Sequence, residues 1–364
     1  MKYLFVKYFV PFFPCPPWHK MKGGGSLVSW KKSFQLAFIY VGTIVGAGFA
    51  TGKEIVEFFS QYGFMGLIGI CISGLCFIGF GVKIMLLAIE LQARSFQQLN
   101  VHIFGPYFAP VINLIMFVML VGVTSVMLSG AGSVFQEQLH LPKMAGILIT
   151  IIFTLIVLLI GTRGLVWVNT LVVPVLILFS FLLAYLAFHL PDFMGNVAKG
   201  FHFTWGAIID SFAYAAFNIS LATAVLVPAA TEIGDKKTVK RGGVIGGLAM
   251  TLILISSHVT LVQLPSLTEF QIPMAVMVNT LATSFHFLFI IVIYGEIFTS
   301  VVGNLYGLER FVKRKIPGNT LTIGMAILSV AFAISMVDYG TLLSFLYPLF
   351  GYISLVFLLL LIIR

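Results

Sequence analysis

The sequence predicts an all-α membrane protein of about ten transmembrane helices, and three observations carry that prediction. Of its 364 residues, 60% are hydrophobic and only 9% are charged. The mean hydropathy of +1.08 is outside the range of soluble domains. The apolar runs recur at the length that a hydrocarbon core of about 30 Å demands. The basic residues collect between those runs, on alternate turns, as loop charges do under the positive-inside rule.

The runs lie near residues 33–60, 64–91, 106–135, 142–161, 165–189, 204–230, 242–264, 281–307, 319–337 and 340–363. Counted from a cytoplasmic N-terminus, the inner side receives Lys20, Lys22, Lys31, Lys32, Arg94, Arg163, Lys236, Lys237, Lys240, Arg241, Arg310, Lys313, Arg314, Lys315 and Arg364. Lys143 and Lys199 fall outside. Losing or gaining one span midway would destroy this segregation, so both termini are placed in the cytoplasm and the protein in the cell membrane. The net charge of +9 is scattered singly or in small groups, which sets nucleic acid aside and leaves the bilayer as the surrounding partner. Cys15, Cys71 and Cys76 form neither a CxxC nor a paired framework and read as packing residues.

Residues 1–29 read as a leader ahead of one transmembrane domain, 30–364. The opening apolar stretch is broken by Pro11, Pro14, Pro16 and Pro17 and lacks a small-residue cleavage site, so it is not a signal peptide. Met21 begins a more ordinary cytoplasmic leader, and translation is expected to start there. Residues 93–104 are too polar to span and read as a short amphipathic helix on the cytoplasmic surface. Residues 266–274 form the main outer loop, expected to fold back over a cavity.

The first span carries the chemistry. Gly42, Gly46, Gly48 and Gly52 punctuate AFIYVGTIVGAGFATGKEIVE, and Lys53, Glu54 and Glu57 follow at once. Each Gly costs a helix about 0.5–1 kcal/mol relative to Ala. A charge at membrane depth costs about 2.5–3.5 kcal/mol unless it faces water or a partner. Irregular backbone survives there only when buried in protein or lining a cavity. A broken helix is therefore expected; close small-xxx-small packing through Gly42 and Gly46 is the competing reading.

Splitting ten spans into two fives makes the second half, about 204–363, run inverted relative to the first, about 33–189. Span six then mirrors span one. Its sequence DSFAYAAFNISLATAVLVPAATE carries Asn218, Ser220, Thr223 and Pro228, and a second break is expected there. Interrupted segments at matching positions of two halves point to a transporter's central site.

With these motifs, GTIVGAGFATG resembles the glycine-rich first span of the amino acid/polyamine/organocation superfamily, whose members share a LeuT-type fold of five-plus-five inverted repeats. More narrowly, residues 30–364 resemble the YkvI-like group of bacterial membrane proteins. The resemblance implies a secondary transporter, with a small solute such as an amino acid or related zwitterion bound between the broken middles of spans one and six. Gly42, Thr43, Gly46 and Gly48 would face Phe217, Asn218, Ser220 and Thr223 across that site. It also implies Na⁺ held by the carbonyls of Gly42 and Val45 and the hydroxyls of Thr299 and Ser300 on span eight, oxygen donors suited to a hard cation. Some proton-coupled relatives carry a Lys on span five; this span five has none, which favours Na⁺. Glu296 lies three and four residues before Thr299 and Ser300, on the same helix face. It could add a cation ligand or carry a proton, so proton coupling stays open.

Lys53 and Asp338 are expected to pair as an outer gate. Asp210 is placed in an outer vestibule, and Thr124, Ser125 and Ser129 near one face of span three. His258 and His286 have no ligand spacing, and no metal beyond Na⁺ and no cofactor is expected. No HExxH or GxSxG motif supports an enzyme. A non-transporting sensor or assembly protein on the same scaffold is the reading from another class. The solute, the coupling stoichiometry and the oligomeric state are not written in the sequence.

Overall fold

The computed structural model describes residues 26–93, 95–160, 162–200, 202–313 and 318–363. The leader through residue 25 with its Met21 start, Cys15, and the basic residues Arg94, Arg314, Lys315 and Arg364 lie outside the described residues, as does the side chain of Arg163.

The glycines of the first span divide it into three pieces. Helix α1 (Ser26–Ile44) stops where Gly46 adopts an extended conformation, φ −124° and ψ −172°. Helix α2 (Ala47–Thr51) is one short turn. Gly52 ends it at φ +80°, a left-handed conformation that glycine adopts without a Cβ penalty. Helix α3 (Lys53–Phe58) follows, and a 3₁₀ turn at Ser60–Tyr62 leads to α4 (Phe64–Glu90).

Helix α5 (Phe96–Ser133) is interrupted at Gly105, φ +77°, immediately before Pro106. Proline removes a helical donor and disfavours helix in the residue before it. Residues 96–104 are thereby a short helix of their own, with Leu99, Asn100 and Ile103 buried. A π-turn at Val134–Gln138 ends the run. Next come α6 (Lys143–Ile160), α7 (Thr162–Ala187), the short α8 (Phe193–Ala198) and α9 (Trp205–Ile233). Helix α10 (Lys236–Leu261) is capped by Asp235, whose carboxylate accepts from the Thr238 amide at 3.0 Å and from its hydroxyl. The Thr238 side-chain bond holds that carboxyl below its usual range. Helices α11 (Pro273–Leu281), α12 (His286–Lys313), α13 (Thr320–Ser335) and α14 (Tyr339–Ile363) complete the chain.

Among the described residues, six helices are long and apolar enough to cross a membrane: α4, α5 with its π-turn, α9, α10, α12 and α14. Shorter apolar helices lie at Lys143–Leu159, Val172–Ala187 and Thr320–Ser335.

Span six departs from expectation. Helix α9 runs unbroken from Trp205 to Ile233. Its polar groups bond back onto their own helix: Asn218 Nδ2 to the Tyr214 carbonyl at 3.1 Å, and Thr223 Oγ1 to the Ser220 carbonyl at 2.6 Å. Such back-bonding satisfies a buried side chain without opening the ladder. Ala213, Ala215, Ala216 and Ala222 surround them and favour helix.

The helices form two groups. Helices α1, α4, α9 and α10 pack against one another; α5, α6, α12 and α13 make the second set, and α7 (on α10 and α12) and α14 (on α9 and α5) touch both. Small residues let the first group close. A Cβ on Gly246 would meet the Tyr40 ring at 2.8 Å, and one on Gly247 would meet Ile78 at 2.7 Å. Tyr40 is fully buried and donates to the Phe77 carbonyl at 2.8 Å.

The turns gather at two ends. At one, the Phe64 amide donates to the Lys199 carbonyl (2.9 Å), Asn196 to Gln263 (3.0 Å) and the Gly340 amide to Gln271 (2.5 Å). At the other, Lys236 pairs with Glu90 (2.8 Å), Ser33 donates to the Thr238 carbonyl (2.9 Å), and the Arg241 guanidinium lies over Trp30 at 5.0 Å.

A Cβ on Gly66 would stand 2.0 Å from the Phe59 carbonyl oxygen, whereas one on Gly79 meets nothing within 4 Å. Gly66→Ala should therefore lower stability by about 1–3 kcal/mol through overpacking. Gly79→Ala should leave it level or raise it by up to about 1 kcal/mol. Thermal unfolding of the two purified variants checks the contrast.

Candidate functional site

The break in the first span sets the site. The Val45 amide still closes on the Val41 carbonyl at 2.8 Å, and the Ala50 amide closes on Gly46 at 2.9 Å. Between them Gly46 is extended, so the ladder is interrupted where Gly42 to Val45 would offer their carbonyls. Helix α12 packs on α2 at this level. The Ser300 hydroxyl lies 3.8 Å from where a Gly46 Cβ would stand. Thr299, 2% exposed, donates to the Glu296 carbonyl at 3.1 Å. One carboxylate oxygen of Glu296 is buried without a partner. The structure thus brings Ser300 to the break and buries Thr299 and Glu296 on the same helix. Gly42 lies against Val173 of α7, and Thr43 donates to its own helix at Ile39, 2.7 Å away.

The other side of the break meets α9. Gly48 has no side chain because Glu54 fills the space: a Cβ there would stand 2.4 Å from Glu54 Oε2 and 3.2 Å from the Tyr347 ring. Asn218 Nδ2 donates to Glu54 Oε1 at 3.3 Å. Thr51 bonds to the Gly48 carbonyl at 3.0 Å and to the Tyr339 hydroxyl at 2.6 Å. Phe217 packs on Tyr347 at 5.0 Å between ring centroids and on Phe350 at 6.2 Å. The Ser220 hydroxyl is buried without a partner, while Thr223 bonds within α9. Gly48, Phe217 and Asn218 converge around Glu54 and Tyr347; in the sequence Glu54 was marked only as a charge beside a glycine-rich run.

Lys53 and Asp338 do not pair. Lys53 Nζ donates to the carbonyls of Thr268 (2.7 Å) and Phe270 (3.1 Å), and Asp338 takes Lys143 at 3.3 Å. A buried ammonium needs several acceptors, and two free carbonyls of a folded-back loop supply them. The loop does fold back: Met274 reaches within 3.2 Å of a Cβ position on Gly52. Asp210 is buried rather than open, accepting from Tyr62 at 2.5 Å and Tyr352 at 2.8 Å. Glu57 accepts from Ser344 at 2.6 Å. These bonds tie α3, α9 and α14 together at one end.

On span three, Ser129 donates to the Val337 carbonyl at 2.7 Å, and Thr124 and Ser125 bond within their own helix. His258 meets Ser60 at 3.0 Å and His286 meets Gln138 at 3.1 Å, on separate helices. Among the described residues no group of three His, Cys, Asp or Glu could hold a metal ion. A cavity of about 600 Å³ opens between residues 60–63, 196–200 and 262–267, away from the break.

A helical membrane protein with one broken crossing packed between two helix groups has solved counterparts. Mhp1 in its inward-facing conformation superposes with a TM-score of 0.59 at 14% identity, covering 88% of this chain and 73% of that one. The manganese transporter of Eremococcus coleocola gives 0.56 at 13% identity, covering 93% and 79%. A Na⁺-coupled sialic acid symporter in a substrate-bound outward-open state gives 0.51 at 14% identity, covering 89% and 74%. These likenesses define the fold as LeuT-type.

Sequence comparison narrows the class. The uncharacterized membrane protein YkvI of Bacillus subtilis (strain 168) is 45% identical over 324 residues, 89% of this chain and 93% of that protein. YyaD of the same organism is 26% identical over 332 residues, 90% and 95% of the two chains. The chain belongs to the YkvI family. No family profile matches it.

Each charge-assisted bond from Lys53 to the loop is worth about 1.5–3 kcal/mol. Lys53→Met should cut the hydrogen-exchange protection of residues 266–272 about tenfold or more. Asp338→Asn should leave those amides unchanged.

Proposed function

We propose that the chain is a secondary carrier that moves a small solute, an amino acid or related zwitterion, by alternating access coupled to Na⁺. The observation that carries this reading is the break at Val45–Gly46, set against Ser300 of α12 on one side and, through Glu54, against Asn218 of α9 on the other. Unpaired backbone inside a membrane persists where it serves a bound group. The solute would lie among Gly42, Thr43, Gly46, Gly48, Phe217, Asn218, Ser220 and Thr223. The cation would take the carbonyls of Gly42 and Val45 with Thr299 and Ser300, and Glu296 as a further ligand.

The wider architecture belongs to the same reading: ten crossings in two inverted halves, both termini cytoplasmic, in the cell membrane, with residues 30–364 as one transport domain. The turns meeting at two separate ends support this count. The two helix groups supply the moving parts, α1, α4, α9 and α10 rocking against α5, α6, α12 and α13, with α7 and α14 between them. The solute and ion shift that equilibrium only through unequal affinity for the two arrangements. That a Na⁺-coupled symporter and a manganese transporter share the fold agrees with ion-linked transport.

Proton coupling through Glu296 is the second reading, favoured by its buried, unpartnered carboxylate oxygen. Uptake of a mixed amino acid pool into proteoliposomes, read by mass spectrometry, separates the two. An inward Na⁺ gradient should drive accumulation. Thr299→Ala with Ser300→Ala should raise half-saturating Na⁺ about tenfold, equivalent to about 1.4 kcal/mol. Accumulation driven by a pH gradient alone and lost in Glu296→Gln would assign the proton instead. Equal uptake with no gradient of either ion would sink both couplings.

A further inference from the structure

We propose that Glu54 is the recognition group for a positively charged nitrogen, an ammonium or quaternary ammonium, on the transported solute; the proposal rests on the carrier reading above. Glu54 is 3% exposed, just past the break. The side chains that meet its carboxylate are neutral: Asn218 donates at 3.3 Å, and the Tyr214 hydroxyl lies beside it. Lys53, its chain neighbour, donates to the Thr268 and Phe270 carbonyls. The ion pairs among the described residues are Lys143–Asp338, Lys236–Glu90 and Lys313–Glu309, none of them with Glu54. A carboxylate held away from water with no cation is costly to keep ionised. A ligand cation would complete it.

The surroundings choose the kind of cation. Tyr347 stands at the same Gly48 gap as the carboxylate. Tyr214 lies beside Glu54 with its hydroxyl toward that carboxylate, and its ring meets Phe58 tilted (5.2 Å) and Phe59 edge-on (4.8 Å). Phe217 backs Tyr347. Aromatic rings with one carboxylate suit an organic ammonium. A bare divalent ion asks for a shell of oxygen ligands instead.

The test uses the full chain in nanodiscs, with thermal unfolding measured against paired probes: L-alanine with lactate, putrescine with butanediol, choline with dimethylbutanol. At least one ammonium probe should raise the unfolding midpoint where its uncharged or anionic partner does not. Glu54→Gln keeps an acceptor for Asn218 but removes the charge, and it should weaken that probe's binding tenfold or more. Glu54→Asp, which keeps the charge and shortens the reach, should weaken it less. No shift from any ammonium probe, or equal binding by wild type and both variants, overturns the assignment. Counterflow of the same probes in proteoliposomes keeps the two claims apart. Binding through Glu54 without counterflow would remove the carrier reading and leave the recognition site. Lactate counterflow that is equal in Glu54→Gln, with no ammonium binding, would do the reverse.

Discussion

A peptide group in hydrocarbon must find its partner inside the protein, because no water is there to supply one. That constraint governs this molecule. Where the first crossing breaks at Gly46, the loss is tolerated because α9 and α12 enclose the gap on both sides. Where α9 carries Asn218, Ser220 and Thr223, two of the three bond to carbonyls of their own helix and the crossing stays whole.

The same constraint explains the charges. Lys53, Glu54, Glu57 and Asp210 cluster around one end of the first and sixth crossings. Three of them are satisfied by neutral groups: loop carbonyls for Lys53, a serine for Glu57 and two phenols for Asp210. Those bonds hold α3 to the 266–272 loop and α14 to both α3 and α9. They lie at the end of the molecule where the 266–272 loop closes over α3.

Glu54 and Glu296 stand apart from that pattern. Both are nearly fully buried, on opposite sides of the break, and among the described residues neither is ion-paired. One faces tyrosines and an asparagine; the other precedes a pair of hydroxyls by one helical turn. A ring-lined carboxylate and a hydroxyl-flanked carboxylate suit different cations, which is the chemical basis of the proposed division between solute and coupling ion.

Residue spacing by itself determined the helical class, the positions of the apolar runs and the break in the first crossing, because length, hydropathy and glycine content act locally. It also marked Asn218 as a polar group at membrane depth, whereas Ser300 and Phe217 were singled out only through the family resemblance. It misplaced the partner of Lys53 and expected a second break, since neither hydrogen-bond choice is local: Asp338 is claimed by Lys143, and the α9 carbonyls were closer to Asn218 and Thr223 than any competing group. Glu54 was legible only as a costly charge. That it fills the hollow left by Gly48 against Tyr347 and within reach of Asn218 was decided by tertiary packing, because Tyr347 and Asn218 lie more than a hundred positions away in the chain.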